Sequence, residues 1–265
     1  MIQYIWLLKI GIYNNIKYSL ITVYMYGNLK HAFALYREKR LCNMSKGLFI
    51  TGTGTDIGKT YVTALLVKRL HDAGYNVGYY KAAISGADSV AESDAGFVNA
   101  TANLGQSDEE LLSYLYKTAV SPHLAAKLEG NPVEKETVIK GYQRVAATRD
   151  FVTLEGSGGI VCPIRYDEVG HYFLTDIIHW LHLPTLIVAD AGLGTINTVV
   201  LTVEYLKARH IPVKGIMLNH YTGGTMQEDN VYMIEELTGC KVLAKVAPGD
   251  TELAADPAML ASLYE

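Results

Sequence analysis

Short apolar runs alternate with segments of helical spacing along this chain. Leu48–Ile50 is an apolar run, and Val62, Leu65, Leu66 and Leu70 then recur at intervals of three and four residues. The first pattern is typical of a buried strand and the second of a helix that packs one face on a core. The alternation predicts further strands over 76–80, 151–154, 185–189, 213–218 and 241–246, and further helices over 94–104, 108–117, 134–148, 174–181, 195–210 and 228–238.

Strands that alternate with helices in this way predict an α/β fold. Its sheet should be mostly parallel and covered by helices on both faces, as in P-loop NTPases. Nothing after Met44 repeats or suggests a second domain, so we expect a single domain over 44–265.

Polar side chains stand where five of the predicted strands end. They are Thr51, Lys81, Glu155, Asp190 and Asn219. In open parallel sheets, ligands bind beyond the carboxyl ends of the strands. These five side chains are therefore expected at one ligand-binding edge.

The segment between the first strand and the first helix has the composition of a phosphate-binding loop. It runs from Thr51 to Thr60 and ends in Gly-Lys-Thr. Backbone N–H groups and the positive end of the following helix attract phosphate, Lys59 can reach the outer phosphates, and the Thr60 hydroxyl can bind magnesium. Position 53 is Thr where the common signature has Gly, so this loop is a variant.

Two acids and a second lysine complete the predicted chemistry. Thr60, Asp94 and Glu155 offer the few oxygen ligands with which proteins hold Mg²⁺ beside phosphates. Asp94 by itself would be interpreted as a solvated acid or a helix cap. Glu155 directly follows a buried run, where an acid is usually paired or bound to a ligand. Lys81 is expected to face the phosphates opposite Lys59, because two cations stabilise the charge of a transferring phosphoryl group.

Composition narrows the class of protein. The chain has 265 residues, 49% of them hydrophobic, and a net charge of −4, while residues 1–43 carry six basic residues and one acid. The remainder is therefore acidic, which argues against nucleic-acid binding. The three cysteines, Cys42, Cys162 and Cys240, form no disulfide or metal pattern and favour a cytoplasmic protein.

Residues 1–43 differ from the rest of the chain. They are rich in Tyr and Ile, but their apolar runs are far shorter than the roughly 20 residues of a spanning helix. We therefore expect no stable membrane association. Met44 opens a segment that leads directly into the first strand. Residues 1–43 are accordingly interpreted as a non-native or dispensable extension.

Several motifs together resemble dethiobiotin synthetase, the ATP-dependent enzyme of biotin synthesis. The loop fits the pattern T-G-T-x-T-x-x-G-K-T, and Glu155–Gly159 resembles the family's E-G-A-G-G with Ser157 in place of Ala. The other matching segments are 79–86, 121–126, 192–197 and 218–219. They follow the family's order from Met44 to about Pro257. Ala82 departs from the pattern, since many members have proline there.

The resemblance implies a role for each matched residue. The phosphates would be held by Asp56, Ile57, Gly58, Lys59, Thr60 and Tyr61, and magnesium by Thr60, Asp94 and Glu155. Lys81 would be catalytic together with Lys59, and Ser85, Thr55 and Lys81 would contact the substrate. Glu155, Gly156, Ser157 and Gly158 would lie beside the phosphates and the reacting group, and Asn219, His220, Pro248, Gly249 and Asp250 would frame the adenine. The 192–197 turn would lie near the interface of a homodimer.

The implied reaction consumes small molecules only. The 7-amino group of 7,8-diaminononanoate takes up CO₂ to form a carbamate, which ATP phosphorylates to a carbamic-phosphoric anhydride. The 8-amino group then closes the cyclic urea. ATP is the co-substrate and Mg²⁺ the cofactor.

Three other interpretations remain open. A ParA/MinD-like dimeric switch ATPase would share the sheet but normally has a lysine early in the loop, where this chain has Thr53 and Gly54. The synthetase half of a cobyrinate amidating enzyme would need a glutaminase domain. A regulatory module without turnover would not need Lys81, Ser85 and Glu155 together.

Overall fold

The computed structural model describes residues 45–265. The interpretation of residues 1–43 therefore lies outside the described residues. The strands are β1 (Lys46–Gly52), β2 (Val77–Ser85), β3 (Leu112–Tyr116), β4 (Phe151–Gly159), β5 (Pro163–Tyr166), β6 (His171–Phe173), β7 (Thr185–Asp190), β8 (Val213–Asn219) and β9 (Val242–Lys245). The helices are α1 (Lys59–Asp72), α2 (Asp94–Ala102), α3 (Asp108–Leu111), α4 (Pro122–Leu128), α5 (Lys135–Ala146), α6 (Leu174–Leu181), α7 (Thr195–Lys207), α8 (Thr225–Thr238) and α9 (Pro257–Ala261).

Seven of these strands form one parallel sheet in the order β3-β2-β4-β1-β7-β8-β9. Strands β5 and β6 pair separately as an antiparallel hairpin. The predicted α/β class with a mostly parallel sheet is confirmed. The sheet order also shows that β4, although late in the sequence, lies between β1 and β2. Lys81 of β2 therefore lies on the same side of β1 as Glu155 of β4.

Helices cover both faces of the sheet, and the core is divided accordingly. Leu48 and Ile50 of β1 belong to the cluster that includes the apolar residues of α1 and α2. Phe49, between them, belongs to the cluster that includes residues of α5, α6, α7 and α8. This is the alternation expected of neighbouring residues in a strand, which point to opposite faces of the sheet.

Three sequence predictions of secondary structure were wrong in their bounds. The predicted helix over 108–117 is helical only as far as Leu111, and β3 follows it. Ser107 and Glu110 cap one helical turn, after which Tyr114 and Tyr116 alternate into the core with the period of a strand. Strand β2 continues four residues beyond Lys81.

Strand β4 likewise continues through Glu155–Gly159, which was predicted to be a loop. Glycine usually weakens a strand. Here Gly159 pairs with Gly52 of β1, where the two backbones approach closely beside the loop. Lys81 and Glu155 therefore lie within strands and not at strand ends.

No helix within residues 45–265 is long and apolar enough to cross a membrane.

Candidate active site

The loop between β1 and α1 has the backbone geometry of an anion-binding turn. Gly58 immediately precedes the helix with φ of +80°, and Asp56 also has positive φ. A Cβ atom at position 58 would lie 2.0 Å from the side-chain nitrogen of Asn219, so only glycine fits. The amide of Asn219 donates to the carbonyl of Ile57 at 3.0 Å and fixes the loop from the other side. The first N–H groups of α1 are thus directed toward the end of the sheet, where they favour an anion.

A cavity of about 340 Å³ opens beside this loop. Both lysines predicted to face each other, Lys59 and Lys81, line it. The complete lining is Thr55, Asp56, Gly58, Lys59, Thr60, Lys81, Ile84, Ser85, Asp94, Ser157 and Gly158. Every residue of this set except Ile84 was a predicted site residue. The structure therefore brings together residues that are separated by as many as 103 positions in the chain.

Lys81 lies at the centre of a buried polar cluster. Its ammonium nitrogen is 2.5 Å from Asp94 Oδ2 and 2.9 Å from Glu155 Oε1. The Thr60 hydroxyl donates to the same Glu155 oxygen at 2.8 Å. Lys81 and Glu155 are register partners in β2 and β4, so the parallel sheet itself places them side by side. The three predicted magnesium ligands therefore belong to one cluster, linked through the Lys81 ammonium and Glu155 Oε1.

The donor set suits magnesium. Thr60, Asp94 and Glu155 supply only oxygen atoms, and two carboxylates with one hydroxyl match the small number of protein ligands that Mg²⁺ takes beside phosphates. The Lys81 ammonium already lies between the two carboxylates, which shows that this position accommodates positive charge. No cluster of three or more His, Cys, Asp or Glu side chains suited to a metal is present within residues 45–265.

The two lysines differ in electrostatic environment. Burial lowers the pKa of Lys59, and the positive charge of Lys81 lowers it further, although the Glu155 carboxylate opposes both effects. Burial also disfavours the charged form of Lys81, but the Glu155 and Asp94 carboxylates outweigh it and raise the pKa of Lys81. Lys81 is therefore protonated, whereas Lys59 forms no ion pair with any carboxylate among residues 45–265 and can interact with an anion in the cavity.

Ser85 and Ser157 line the cavity with their hydroxyl groups turned to the main chain. Ser85 Oγ donates to the Val120 carbonyl at 2.6 Å, and Ser157 Oγ donates to the Ala83 carbonyl at 2.9 Å. Gly156 does not line the cavity. It is buried, and a Cβ there would come within 2.8 Å of the Phe49 ring.

The residues predicted to frame the adenine lie on the other side of the loop. Asn219 ends β8 and is buried, with its amide oxygen lacking a hydrogen-bond partner among the described residues. His220 is half exposed, and its Nδ1 is 2.6 Å from Asp190 Oδ2. Asp190 also accepts from the N–H of Gly192 at the start of the following turn.

The segment after β9 is tied to the first turn of α1. The Tyr61 hydroxyl donates to the Asp250 carbonyl, and the Asp250 carboxylate accepts from the N–H of Ala247 at 2.8 Å. Gly249 has φ of +88°, as a tight turn requires, and Pro248 precedes it. Pro248–Asp250 and Tyr61 thus lie beside the loop but outside the cavity that holds the two lysines.

Sequence reasoning missed Tyr79 and Ile84. Tyr79 donates from its hydroxyl to Glu155 Oε2 at 3.2 Å, and Ile84 forms the apolar part of the cavity wall. The available signal was the strand period, because Tyr79 lies two residues before Lys81 and therefore on the same face of the sheet. Cys162, buried near Lys59, has its pKa raised to about 11 by burial and is not a nucleophile at neutral pH.

The parallel sheet, the glycine-lysine-threonine loop at a helix N-terminus and the adjoining lysine-carboxylate cluster define a P-loop NTPase-like protein. A family model described as an AAA domain matches residues 46–254. A dethiobiotin synthetase of Brachyspira hyodysenteriae is 48% identical over 223 residues, which are 84% of this chain and all of that protein. One from Clostridium botulinum strain Eklund 17B is 45% identical over 75% of this chain and 89% of its own length. The chain belongs to the dethiobiotin synthetase family and is therefore an enzyme of the ligase class.

Solved structures with a related outline are more distant in sequence. The MinC:MinD cell division protein complex of Aquifex aeolicus gives a TM-score of 0.49 at 14% identity and covers 77% of this chain and 81% of that one. A ParA family ATPase from Chlorobium tepidum gives 0.47 at 17% identity and covers 78% and 85%. The family of this chain is that of the synthetases, and not the ParA/MinD-like switch ATPases considered as the alternative.

Proposed function

We propose that this protein joins CO₂ to 7,8-diaminononanoate and closes the product to dethiobiotin, with ATP as co-substrate and Mg²⁺ as cofactor. The single observation that carries the proposal is the cavity lined by Lys59, Lys81, Asp94 and Ser85 in a chain of the dethiobiotin synthetase family. This lining combines a phosphate loop with a second buried cation, which simple nucleotide binding would not require.

The proposed reaction has three steps. The 7-amino nitrogen bonds to the carbon of CO₂ and loses a proton, which gives a carbamate. A carbamate oxygen bonds to the γ-phosphorus of ATP as the bond from that phosphorus to ADP breaks. The 8-amino nitrogen then bonds to the carbonyl carbon and loses a proton, the carbon–oxygen bond to phosphate breaks, and inorganic phosphate leaves the completed cyclic urea.

Residues of the chain would act mainly by position and charge. Lys59 and the N–H groups of α1 would hold the outer phosphates, and the Lys81 ammonium would face the carbamate oxygen and the γ-phosphate between which the new bond forms. Ser85 and Thr55, also in the lining, would orient the substrate. Bound Mg²⁺, which Thr60, Asp94 and Glu155 would hold, neutralises charge on the phosphate oxygens. No protein nucleophile is needed.

The base of ATP would lie on the other side of the loop. Asn219 ends β8 and His220 follows it, while Pro248–Asp250 follows β9, the strand paired with β8. The Asn219 amide oxygen, which has no hydrogen-bond partner within residues 45–265, would accept from an exocyclic amino group. An adenine carries such a group at its edge, whereas a guanine presents a carbonyl at the corresponding position. This favours ATP over GTP.

We also propose that the protein acts as a homodimer. Leu193 at the turn before α7 is 92% exposed, and Leu201 on α7 and Val161 after β4 are about 60% exposed. Exposed apolar side chains beside a site are typical of a protein interface. A second copy of this chain would cover them, and Leu201→Glu should yield monomers in sedimentation velocity while Leu237→Glu, on α8, should not.

One assay tests the reaction. The full chain is mixed with ATP, Mg²⁺, bicarbonate and 7,8-diaminononanoate, and the cyclic urea and free phosphate are measured together. We expect one phosphate released per ring closed and little release without the diamine. Phosphate release that is independent of the diamine, with no cyclic urea, would refute the proposal and favour a switch ATPase.

A further inference from the structure

The two oxygens of the Glu155 carboxylate have separate partners. Oε1 accepts from the Thr60 hydroxyl at 2.8 Å and from the Lys81 ammonium at 2.9 Å. Oε2 accepts from the Tyr79 hydroxyl at 3.2 Å, its one hydrogen bond within residues 45–265. Glu155 is 1% exposed, so its carboxylate is out of contact with bulk water. The tyrosine hydroxyl therefore fixes the carboxylate with Oε1 directed toward Thr60 and Lys81, both of which line the cavity.

The ring of Tyr79 is itself held rigidly. Tyr79 is fully buried within the cluster that also includes the apolar residues of α1 and α2. Pairing of β2 with β3 starts only at Lys81, and at Tyr79 the side chain of Gln106 takes the place of a neighbouring strand. It accepts from the Tyr79 N–H at 2.8 Å and donates to the Tyr79 carbonyl at 3.0 Å.

Gln106 is fixed in turn by α2. Asn99 accepts from the Gln106 N–H at 3.1 Å and donates to the Gln106 carbonyl at 3.0 Å. The same helix begins at Asp94, the second carboxylate beside Lys81. Tyr79 and Asp94 are thus both located by α2, which gives the two carboxylates of the cluster a common support.

The chemistry of the two groups fixes the direction of this bond. An ionised carboxylate oxygen only accepts, so the Tyr79 hydroxyl is the donor to Oε2, and the bond is charge-assisted.

We propose that Tyr79 is a positioning residue: its hydroxyl fixes the Glu155 carboxylate so that Oε1 stays beside Thr60 and Lys81 of the cavity wall, where it would bind the divalent cation of the nucleotide. The proposal rests on the proposed function only for the identity of the cation and nucleotide. Residues that orient a ligating carboxylate typically change metal affinity or activity about 10–100-fold when they are mutated.

Tyr80 provides a matched control in the next position of the same strand. It is also buried and also uses its hydroxyl, which contacts Ser113 Oγ at 2.6 Å and donates to the Val138 carbonyl at 3.2 Å. Its side chain belongs to the cluster on the opposite face of the sheet. Tyr80→Phe therefore removes a buried hydroxyl with comparable bonding and leaves Glu155 untouched.

The test compares Tyr79→Phe and Tyr80→Phe in the full chain. Mn²⁺ binding in the presence of saturating ADP is measured by electron paramagnetic resonance, and ADP binding without metal is measured by calorimetry. We expect Tyr79→Phe to weaken Mn²⁺ binding about tenfold or more, with metal-free ADP binding within twofold of the wild type. Tyr80→Phe should leave both unchanged. Wild-type Mn²⁺ affinity in Tyr79→Phe, or an equal loss in both variants, would overturn the proposal.

A second variant keeps the proposal testable if Tyr79→Phe does not fold. Gln106→Met releases the backbone of Tyr79 but keeps its hydroxyl, and it should weaken Mn²⁺ binding in the same direction and by less. If Tyr79→Phe does not fold, unchanged Mn²⁺ affinity in Gln106→Met overturns the proposal instead. Neither measurement uses the diamine, so a failure of the proposed reaction is distinguishable from a failure of the role of Tyr79.

Discussion

The sheet on each side of the phosphate loop carries one close pair of titratable side chains, but the two pairs lie in different environments. On the β2–β4 flank, the Lys81 and Glu155 side chains are 3% and 0% exposed. On the β7–β8 flank, His220 and Asp190 are 48% and 45% exposed. The distances are similar, 2.9 Å and 2.6 Å, so the difference lies in the solvent and not in the geometry.

This difference in exposure makes the β2–β4 side of the loop rigid and the β7–β8 side adaptable. A buried pair cannot be broken without leaving an uncompensated charge, at a cost of about 3–5 kcal/mol. An exposed pair contributes about 0–1 kcal/mol. The β2–β4 flank can therefore hold reacting groups in fixed positions. The β7–β8 flank can rearrange around a ligand at little cost.

Removing Lys81 should have the largest effect. Lys81→Met leaves Glu155 buried without its counter-charge, and we expect the free energy of unfolding to fall by about 3–5 kcal/mol. Turnover should fall by about 10²–10³, as when a donor that stabilises transition-state charge is lost. Urea unfolding and a steady-state assay measure the two effects.

The double variant Lys81→Met/Glu155→Gln sharpens this prediction. It removes both charges, so it should regain a large part of the lost stability and none of the turnover. A double variant as unstable as Lys81→Met would show that the β2–β4 pair is not the source of the destabilisation.

Lys59→Ala should weaken nucleotide binding while the fold remains intact. Loss of a hydrogen bond to a charged group costs about 1.5–3 kcal/mol, and about 10–150-fold weaker ATP binding is expected. Because burial lowers the pKa of Lys59, wild-type affinity should also decline as the pH rises toward 10.5, and the variant should lack this decline. Calorimetry across this pH range is the measurement.

Lys68→Ala is the matched control for this experiment. Lys68 lies on the same helix but forms an exposed pair with Asp72. ATP affinity in this variant should match the wild type. An equal loss in both variants would contradict a specific role for Lys59.

The pair formed by Asp94 and Lys81 is intermediate in exposure between the buried Lys81–Glu155 pair and the exposed His220–Asp190 pair. The Asp94 side chain is 49% exposed, but Lys81 is buried. Burial raises the pKa of Asp94, but the Lys81 ammonium outweighs it and the net pKa falls below 3.8. The folded state thus favours the ionised form. The resulting stabilisation is complete above about pH 3.8 and is lost as the pH falls through the folded-state pKa.

Asp94→Asn should therefore reduce stability by no more than about 1 kcal/mol at neutral pH. The difference from the wild type should be the same at pH 5 as at pH 7 and should shrink in more strongly acidic buffer. Urea unfolding at each pH gives the values. A difference that grows on acidification would have the wrong sign and would contradict the ion pair with Lys81.

Asp190→Asn should have the smallest effect. The exposed pair with His220 contributes about 0–1 kcal/mol, and asparagine keeps an oxygen for the Gly192 N–H. Thermal unfolding and turnover should both stay close to the wild type. A loss as large as that in Lys81→Met would remove the distinction between the two flanks.

The phosphate loop was predictable because its signal is local. Glycine, lysine and threonine follow a buried strand and open a helix, and no distant residue is needed to recognise them. Lys81 and Glu155 were expected side by side from the general rule about strand ends, and they do lie together, although both strands continue beyond them. Asp94 opens a helix, so the strand-end rule did not include it.

Long-range pairing was not predictable in the same way. Nothing near Glu155 indicates that β4 inserts between β1 and β2, and this insertion alone makes Lys81 its register partner and Tyr79 its hydrogen-bond donor. The helix predicted over 108–117 failed for a related reason. The capping residues do start a helix, but it lasts only one turn. The tyrosines that follow pair with β2 as part of the edge strand β3.

The contact between Gly58 and Asn219 limits how this enzyme could be redesigned. The amide group at 219 occupies the space that a side chain at 58 would need, and it also anchors the carbonyl of Ile57. A larger residue at 219 would therefore displace the turn that, under the proposed function, holds the phosphates. Under the same proposal, changes of base preference are better sought at Pro248–Asp250, where the Asp250 carbonyl is joined to α1 through Tyr61.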